Sequence, residues 1–279
     1  MFLRLPSRSG GQRPERIYGI NHGSSLSVGL ASWIEPNAGS FLKDNAPLNL
    51  ACTTTSSPTL VANPLGGTGL YCTGGSGFDL PPSGIDGINL VGQVTQRLVF
   101  RPISWPGGFT VLTDDAARVN AAFLNTSGAV SFDGNWLSLI NPPNSFTAGL
   151  RWDVVIRLTG NGGISTLINE GFLNGVKTGT GGAGGASGLD FRTVTTSFGN
   201  NISGGGSNAD CVYECVQQWT RGLTDEEIWR LYNSPTRWEL YWTPSNRTFF
   251  HVPTGVTNTD PPVFFMPTRI PVATPTVMY

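Results

Sequence analysis

The chain has 279 residues with 17 Lys and Arg against 18 Asp and Glu, a formal charge of −1, so it has no general electrostatic reason to bind nucleic acid or an anionic membrane. Charged residues make up only 13%, whereas 37 Gly, 20 Pro and 39% hydrophobic residues favour one large, turn-rich β domain. No run approaches the roughly 18 apolar residues of a spanning helix, and "MFLRLPSRSGG" lacks the apolar core of a signal peptide, so a product made in a cytoplasm is expected.

Residues 1–25 read as an extended basic arm, with Arg4, Arg8, Arg13 and Arg16 against a single Glu15, interrupted by Pro6, Gly10, Gly11 and Pro14. Near-zero net charge favours a protein neighbour over nucleic acid as the partner of these arginines. From "SVGLASWIEP" onward, short β-rich runs recur between turn signals: "LVGQVTQRLVFRPI", "GGFTVLTD", "AAFLNTSGAVSFDG", "WLSLI", "RWDVVIRLTG", "GISTLINEGFLNGVKTG" and "CVYECVQQWTR". The alternation of Val154, Ile156 and Leu158 is the period of a strand with one buried face. Many short strands at this spacing predict a sandwich or jelly roll. "GTGGAGGASG", residues 179–188, is too glycine-rich to hold a strand and is expected to be a flexible loop. Cys211 and Cys215, four apart, are expected on one face of a strand.

One helix is sharply specified near residue 224. Thr224 is placed to cap the N–H of Glu227, whose carboxylate reaches back to the N–H of Thr224, forming a capping box. Leu223 is spaced to staple onto Ile228, and Asp225 and Glu226 put negative charge at the positive end of the helix dipole. Asn233-Ser234-Pro235 ends the run. A helix of about two turns is marginal alone, so its stripe of Ile228, Leu231 and Tyr232 must dock on something larger. Beyond it, residues 244–279 carry seven prolines, little charge and the pairs Phe249-Phe250 and Phe264-Phe265. This tail is expected to be extended and to lie on a surface, of its own domain or of neighbouring subunits.

The order of elements from residue 28 to 243 resembles the concanavalin A-like lectin/glucanase superfamily in its laminin G-like form, as found in virion proteins of tailed bacteriophages. The resemblance runs from "GLASWIEP" through "LKDNAPLNLACTTTSSPTLVANPLGGTGLYCTGG", "QRLVFRPIS", "RWDVVIRL", the hairpin "LINEGFLNGVKT" with its Asn174-Gly175 turn and "SFGNN" to "VYECVQQWTRGLTDEEIWRLYNSPTRWELY". It implies an all-β, jelly-roll β-sandwich (residues 26–243) with one short C-terminal helix beside the open end of the sandwich, flanked by the arm and tail.

The superfamily includes glycoside hydrolases, which need two carboxylates facing each other across a sugar. No E-x-D-x-x-E pattern is present; Asp114 and Asp115 are adjacent, and Asp133, Asp153, Asp190 and Glu214 are isolated and expected at turns or strand edges. Two histidines, His22 and His251, lie outside the expected core, no G-x-S-x-G elbow exists, and the G-x-G-x-x-G at 179–184 lacks its strand-to-helix setting. The cysteine spacings, C-x19-C and C-x3-C, do not suit zinc, and free, mostly buried thiols are expected. No calcium loop is evident, and no cofactor or metal is expected. Sugar-binding by rim loops remains, with Trp105, Asn135 and Trp136 as the candidates. The first expectation for function is therefore a non-enzymatic capsid decoration or cement protein, on the capsid exterior, anchored to other virion subunits or to its own copies through Arg4, Arg8, Arg13, Arg16, Phe249, Phe250, Phe264 and Phe265. The alternative is a tail or fibre adhesin for host-surface glycans.

Overall fold

Period-2 alternation in the sequence becomes strands that each divide their residues between two faces. In chain order these are β1 (Leu30–Ile34), β2 (Thr53–Thr55), β3 (Thr59–Ala62), β4 (Thr68–Cys72), β5 (Gly77–Leu80), β6 (Val94–Pro102), β7 (Thr110–Asp114), β8 (Ala122–Leu124), β9 (Val130–Phe132), β10 (Leu137–Ile140), β11 (Trp152–Thr159), β12 (Ile168–Leu173), β13 (Val176–Gly182), β14 (Thr196–Phe198), β15 (Ser207–Asn208) and β16 (Cys211–Trp219), followed by helix α1 (Asp225–Tyr232). The structure is a computed structural model. It describes residues 20–36, 42–63, 68–82, 93–104, 110–114, 122–124, 130–132, 137–140, 149–159, 168–182, 195–200, 207–233, 236–237 and 239–241. The chain divides into two units, Met1–Thr243 and Pro244–Tyr279, and every described residue belongs to the first. Arg4, Arg8, Arg13 and Arg16 of the arm and Phe249, Phe250, Phe264 and Phe265 of the tail lie outside the described residues.

The strands form two sheets. The first has the order β13-β12-β11-β6-β16-β4-β3, with β1 also on β16; the second runs β10-β9-β8-β7-β14-β5-β2, with β15 parallel to β7. One edge of β16 is shared, Cys211–Tyr213 pairing with β4 and Val216–Trp219 with β1, while its other edge carries β6 along its whole length. The inner face of the first sheet, with Leu98, Phe100, Val154, Ile156 and Tyr213, meets Phe78, Leu112 and Phe198 of the second. Phe78 and Phe198 stack at 4.7 Å, and Tyr213 stands edge-on to Phe78 at 5.7 Å. The Tyr213 hydroxyl donates to the Leu112 carbonyl at 2.5 Å, so the ring is buried with its polar tip satisfied. Full burial of each such Phe contributes roughly 2 kcal/mol.

A second apolar cluster covers the outer face of the first sheet. Val99, Val155, Phe172 and Trp219 point outward from the strands and meet Leu26, Leu223, Ile228 and Leu231. The helix is thus a lid on the outside of a sheet, and not a neighbour of the open end of the sandwich as expected. Its cap is the one read from the sequence: Thr224 Oγ1 accepts from the Glu227 N–H at 3.1 Å, and the Glu227 carboxylate accepts from the Thr224 N–H at 2.9 Å. Leu223 and Ile228 are both buried. At the other end, the Asn233 N–H donates to Trp229 O. Asn174 (φ 51) and Gly175 (φ 79) make the expected two-residue turn between β12 and β13. That turn docks on the helix so closely that a Cβ on Gly175 would lie 2.9 Å from Trp229 Cε3.

Two expectations are corrected. The first part of the glycine-rich stretch is strand: β13 continues to Gly182, with Gly179, Thr180, Gly181 and Gly182 opposite Gly171, Glu170, Asn169 and Ile168. Backbone pairing with β12 at the end of the sheet holds it without side chains, while residues 183–188 lie outside the described residues. Cys211 and Cys215 do not share a face. The register on β6 passes from Tyr213↔Phe100 to Cys215↔Val99, so Glu214 is the extra residue of a bulge. Cys211 lies in the inner core and Cys215 in the outer cluster.

Candidate binding rim

Strand β4 ends in a turn, Thr73–Ser76, closed by the Ser76 N–H on Thr73 O at 2.9 Å and by the Thr73 N–H on Ser76 Oγ at 2.8 Å. Gly74 (φ 60) and Gly75 (φ 89) occupy the left-handed positions, which a side chain would strain. Beside this turn, β6 leaves the sheet at Pro102 and β16 enters at Cys211. The Ile103 N–H donates to the Asp210 carbonyl at 2.8 Å, and the Asp210 carboxylate collects two hydroxyls: Tyr71 at 2.8 Å on Oδ1 and Ser104 on Oδ2. Hydrogen bonding to Asp210 raises the pKa of Tyr71, so the phenol stays a donor. Two exposed apolar residues lie on neighbouring strand ends. Ile103 is 41% and Leu150 53% exposed, and the Gly149 N–H ties the second segment to Pro102 O at 2.7 Å.

The rim therefore combines an amphipathic ring, a carboxylate, a hydroxyl, glycine backbone and an exposed apolar shoulder, all set on strand ends of the first sheet. That mixture suits a ligand with alternating polar and apolar faces. Trp105 follows Ser104 in the chain, but Trp105 itself lies outside the described residues, as do Asn135 and Trp136. Sequence reasoning missed Tyr71, Ser104 and Asp210. The available signal was the Tyr71-x-x-Gly74-Gly75 turn; nothing local connects Asp210 to a tyrosine 139 positions away.

Of the carboxylates expected at turns or strand edges, Asp153 and Glu214 are instead structural anchors. Asp153, 1% exposed, accepts from Arg97 Nε at 2.8 Å and Nη2 at 2.5 Å; Arg97 also donates to Gln217 Oε1 and to Leu231 O. Burial opposes the Arg97 charge, and the Asp153 carboxylate more than offsets this, leaving the arginine's pKa raised. Leu231 O belongs to the last turn of α1, so this arginine pins the negative end of the helix to the sheet. Arg157 does the same at the start, donating to Leu223 O at 2.6 Å and pairing with Glu170 at 2.7 Å and Asp225 at 2.7 Å. Glu214 is held between Arg101 and Arg151. Asp44 has its pKa raised by burial against the pull of three backbone N–H donors, those of Trp33, Leu50 and Ala46; it closes a loop. Asp115, Asp133, Asp190 and His251 lie outside the described residues, and His22 is exposed at a turn. The carboxylates of Asp44, Asp79, Asp153, Glu170, Glu214 and Glu227 are each held by cationic side chains, hydroxyls or backbone N–H groups, unlike the facing pair that glycoside hydrolysis needs.

No protein-family model and no curated protein matches the sequence. The architecture does match solved structures. The binding domain of Paraclostridial Mosquitocidal Protein 1 superposes with a TM-score of 0.57 at 13% identity, covering 75% of this chain and 53% of that one. The binding domain of botulinum neurotoxin DC in complex with SialylT gives 0.54 at 14%, covering 76% and 52%. The sialidase of Trypanosoma rangeli in complex with 2,3-difluorosialic acid gives 0.52 at 16%, covering 73% and 32%. The fold is that of the concanavalin A-like β-sandwiches. It is the lectin/sialidase-type sandwich of neurotoxin receptor-binding domains, and this chain spans about half the length of the binding domains it matches. At these identities the likeness establishes the fold alone.

Proposed function

We propose that the chain is a non-catalytic glycan-binding module that reads a sugar at the rim formed by Tyr71, Ser104, Asp210 and the exposed pair Ile103 and Leu150. The observation that carries this reading is the rim's composition: a hydrogen-bonded tyrosine–aspartate–serine group on the same strand ends that carry the exposed apolar residues Ile103 and Leu150. Support comes from the fold, which is shared with binding domains, one of them solved with SialylT. Fold likeness alone does not transfer a ligand. Of the two expectations raised by the sequence, this favours the adhesin over the capsid cement protein, whose anchoring residues lie outside the described residues. The setting, a phage tail or fibre meeting a host-surface glycan, belongs to the same proposal and rests on the resemblance of residues 28–243.

The test is a glycan array with the full chain, followed by calorimetry on the best hit. Asp210→Asn and Tyr71→Phe are each expected to weaken binding about tenfold, the cost of one hydrogen bond to a charged group, with unfolding midpoints near wild type. An empty array, or a hit whose affinity ignores both substitutions, would remove the rim reading.

A further inference from the structure

Glu214 sits in the bulge of β16 with its side chain 3% exposed, and two guanidinium groups are braced on it: Arg101 Nε on Oε1 at 2.7 Å and Arg151 Nε on Oε2 at 2.9 Å. Arginine keeps its charge at any pH the protein meets, so one carboxylate leaves this trio with a surplus positive charge. The nearby carboxylates hold other partners, Asp210 its two hydroxyls. Asp153 is taken up by Arg97, and buried Glu35 adds its field to Arg97 as well.

How the pair is held matters as much as its charge. Both arginines bond Glu214 through Nε, the inner edge of the guanidinium. The Nη atoms of Arg151 make no hydrogen bond among the described residues, and Arg101 uses only Nη2, on Ala62 O at 3.3 Å. The side chains of Arg101 and Arg151 are 13% and 21% exposed, so solvent and a small anion reach them. Planar donors presented in this way match the paired oxygens of a carboxylate, sulfate or phosphate. Arg151 also follows the exposed Leu150 of the rim, which places the surplus charge at the rim's edge.

We propose that Arg101 and Arg151, braced on Glu214, form an oxyanion site that takes the carboxylate, sulfate or phosphate group of an acidic ligand. The site stands on different residues from the rim. The probe is inorganic sulfate, titrated calorimetrically into the full chain at ionic strength matched with chloride. One saturable site is expected, weakened roughly tenfold to a hundredfold by Arg151→Gln, the range for losing a charge-assisted hydrogen bond. Arg151→Lys, which keeps the charge beside Glu214 but loses the fork, is expected to weaken sulfate by a smaller factor and carries the test if Arg151→Gln does not fold. Lys43→Gln, an exposed charge elsewhere, should leave binding unchanged. Competition separates the sources: displacement of sulfate by sialyllactose but not by lactose assigns the oxyanion to an acidic sugar, and sulfate binding without displacement assigns a free inorganic anion. Absence of saturable sulfate binding, or equal binding by the folded Arg151 variants, overturns the site. An empty glycan array with sulfate binding retained would sink the rim reading alone.

Discussion

Replacing Asp153 by Asn is expected to destabilise the protein by ~3–5 kcal/mol, the range for breaking a buried ion pair from one side. Asparagine keeps the shape of the residue but removes the charge, while Arg97, whose side chain is 7% exposed, remains a cation whose direct hydrogen-bond partners are then all neutral, with Glu35 as a carboxylate that still acts on it. A loss of ~4 kcal/mol divides the folding constant by roughly a thousand and lowers Tm by ~8–16 °C in a domain of this size. Urea unfolding followed by tryptophan fluorescence measures it as a fall in midpoint at constant slope. Removing both charges together, in Arg97→Met/Asp153→Leu, removes the ion pair as a unit and should recover most of the loss. The reasoning fails if Asp153→Asn costs under ~1 kcal/mol, the value of a solvated pair, or if the double variant is no more stable than the single one.

Two further outcomes follow from perturbed side chains. The Arg221 guanidinium, and then the Thr224 N–H, hold the Glu227 pKa down from 4.5 to about 2. A depressed carboxylate stabilises fully above pH 4.5 and loses that contribution as pH falls towards about 2, a difference of roughly 2 kcal/mol after allowance for partial solvation. Thermal melts of wild type and Glu227→Gln should therefore differ at pH 6 and draw together as pH falls from 4.5 to about 2; a gap of constant size would contradict the linkage. Burial pushes the Cys52 and Cys72 thiols up to about 12 and Cys211 well above its ordinary value. Ellman's reagent at pH 8 should thus leave Cys72 and Cys211 untouched in the native protein and titrate all four cysteines in guanidinium; prompt reaction of three or more native thiols would count against the packing.

What was legible in the sequence was local. Thr224, Glu227 and Leu223 announced the helix because a cap is decided within four residues, and Asn174-Gly175 announced its turn because positive φ at both positions demands those residue types. Alternation at Val154, Ile156 and Leu158 gave the sheet face. The misses were non-local. Asp153 finds Arg97 56 positions earlier, and Asp210 finds Tyr71 139 positions earlier, so isolated acids looked like turn residues. One inserted residue, Glu214, reversed the facing of everything after it in β16, which periodicity counting does not detect. β5 was overlooked because four residues, "GFDL", are too few to show a period. Of the rim, the sequence pointed to none of Tyr71, Ser104 and Asp210.

The place of β16 has a consequence for how the protein is made. It is the strand on which β1, β4 and β6 all meet, yet it begins at residue 211. Until that point has left the ribosome, β6 and β4 have no common neighbour, and β1 waits with its pairing edge bare for more than 180 residues of synthesis. Such late, long-range pairing makes folding slow and leaves strand edges open to misassociation. Premature termination anywhere before residue 211 thus yields half a sheet, a substrate for chaperones and proteases and not a smaller version of the same domain.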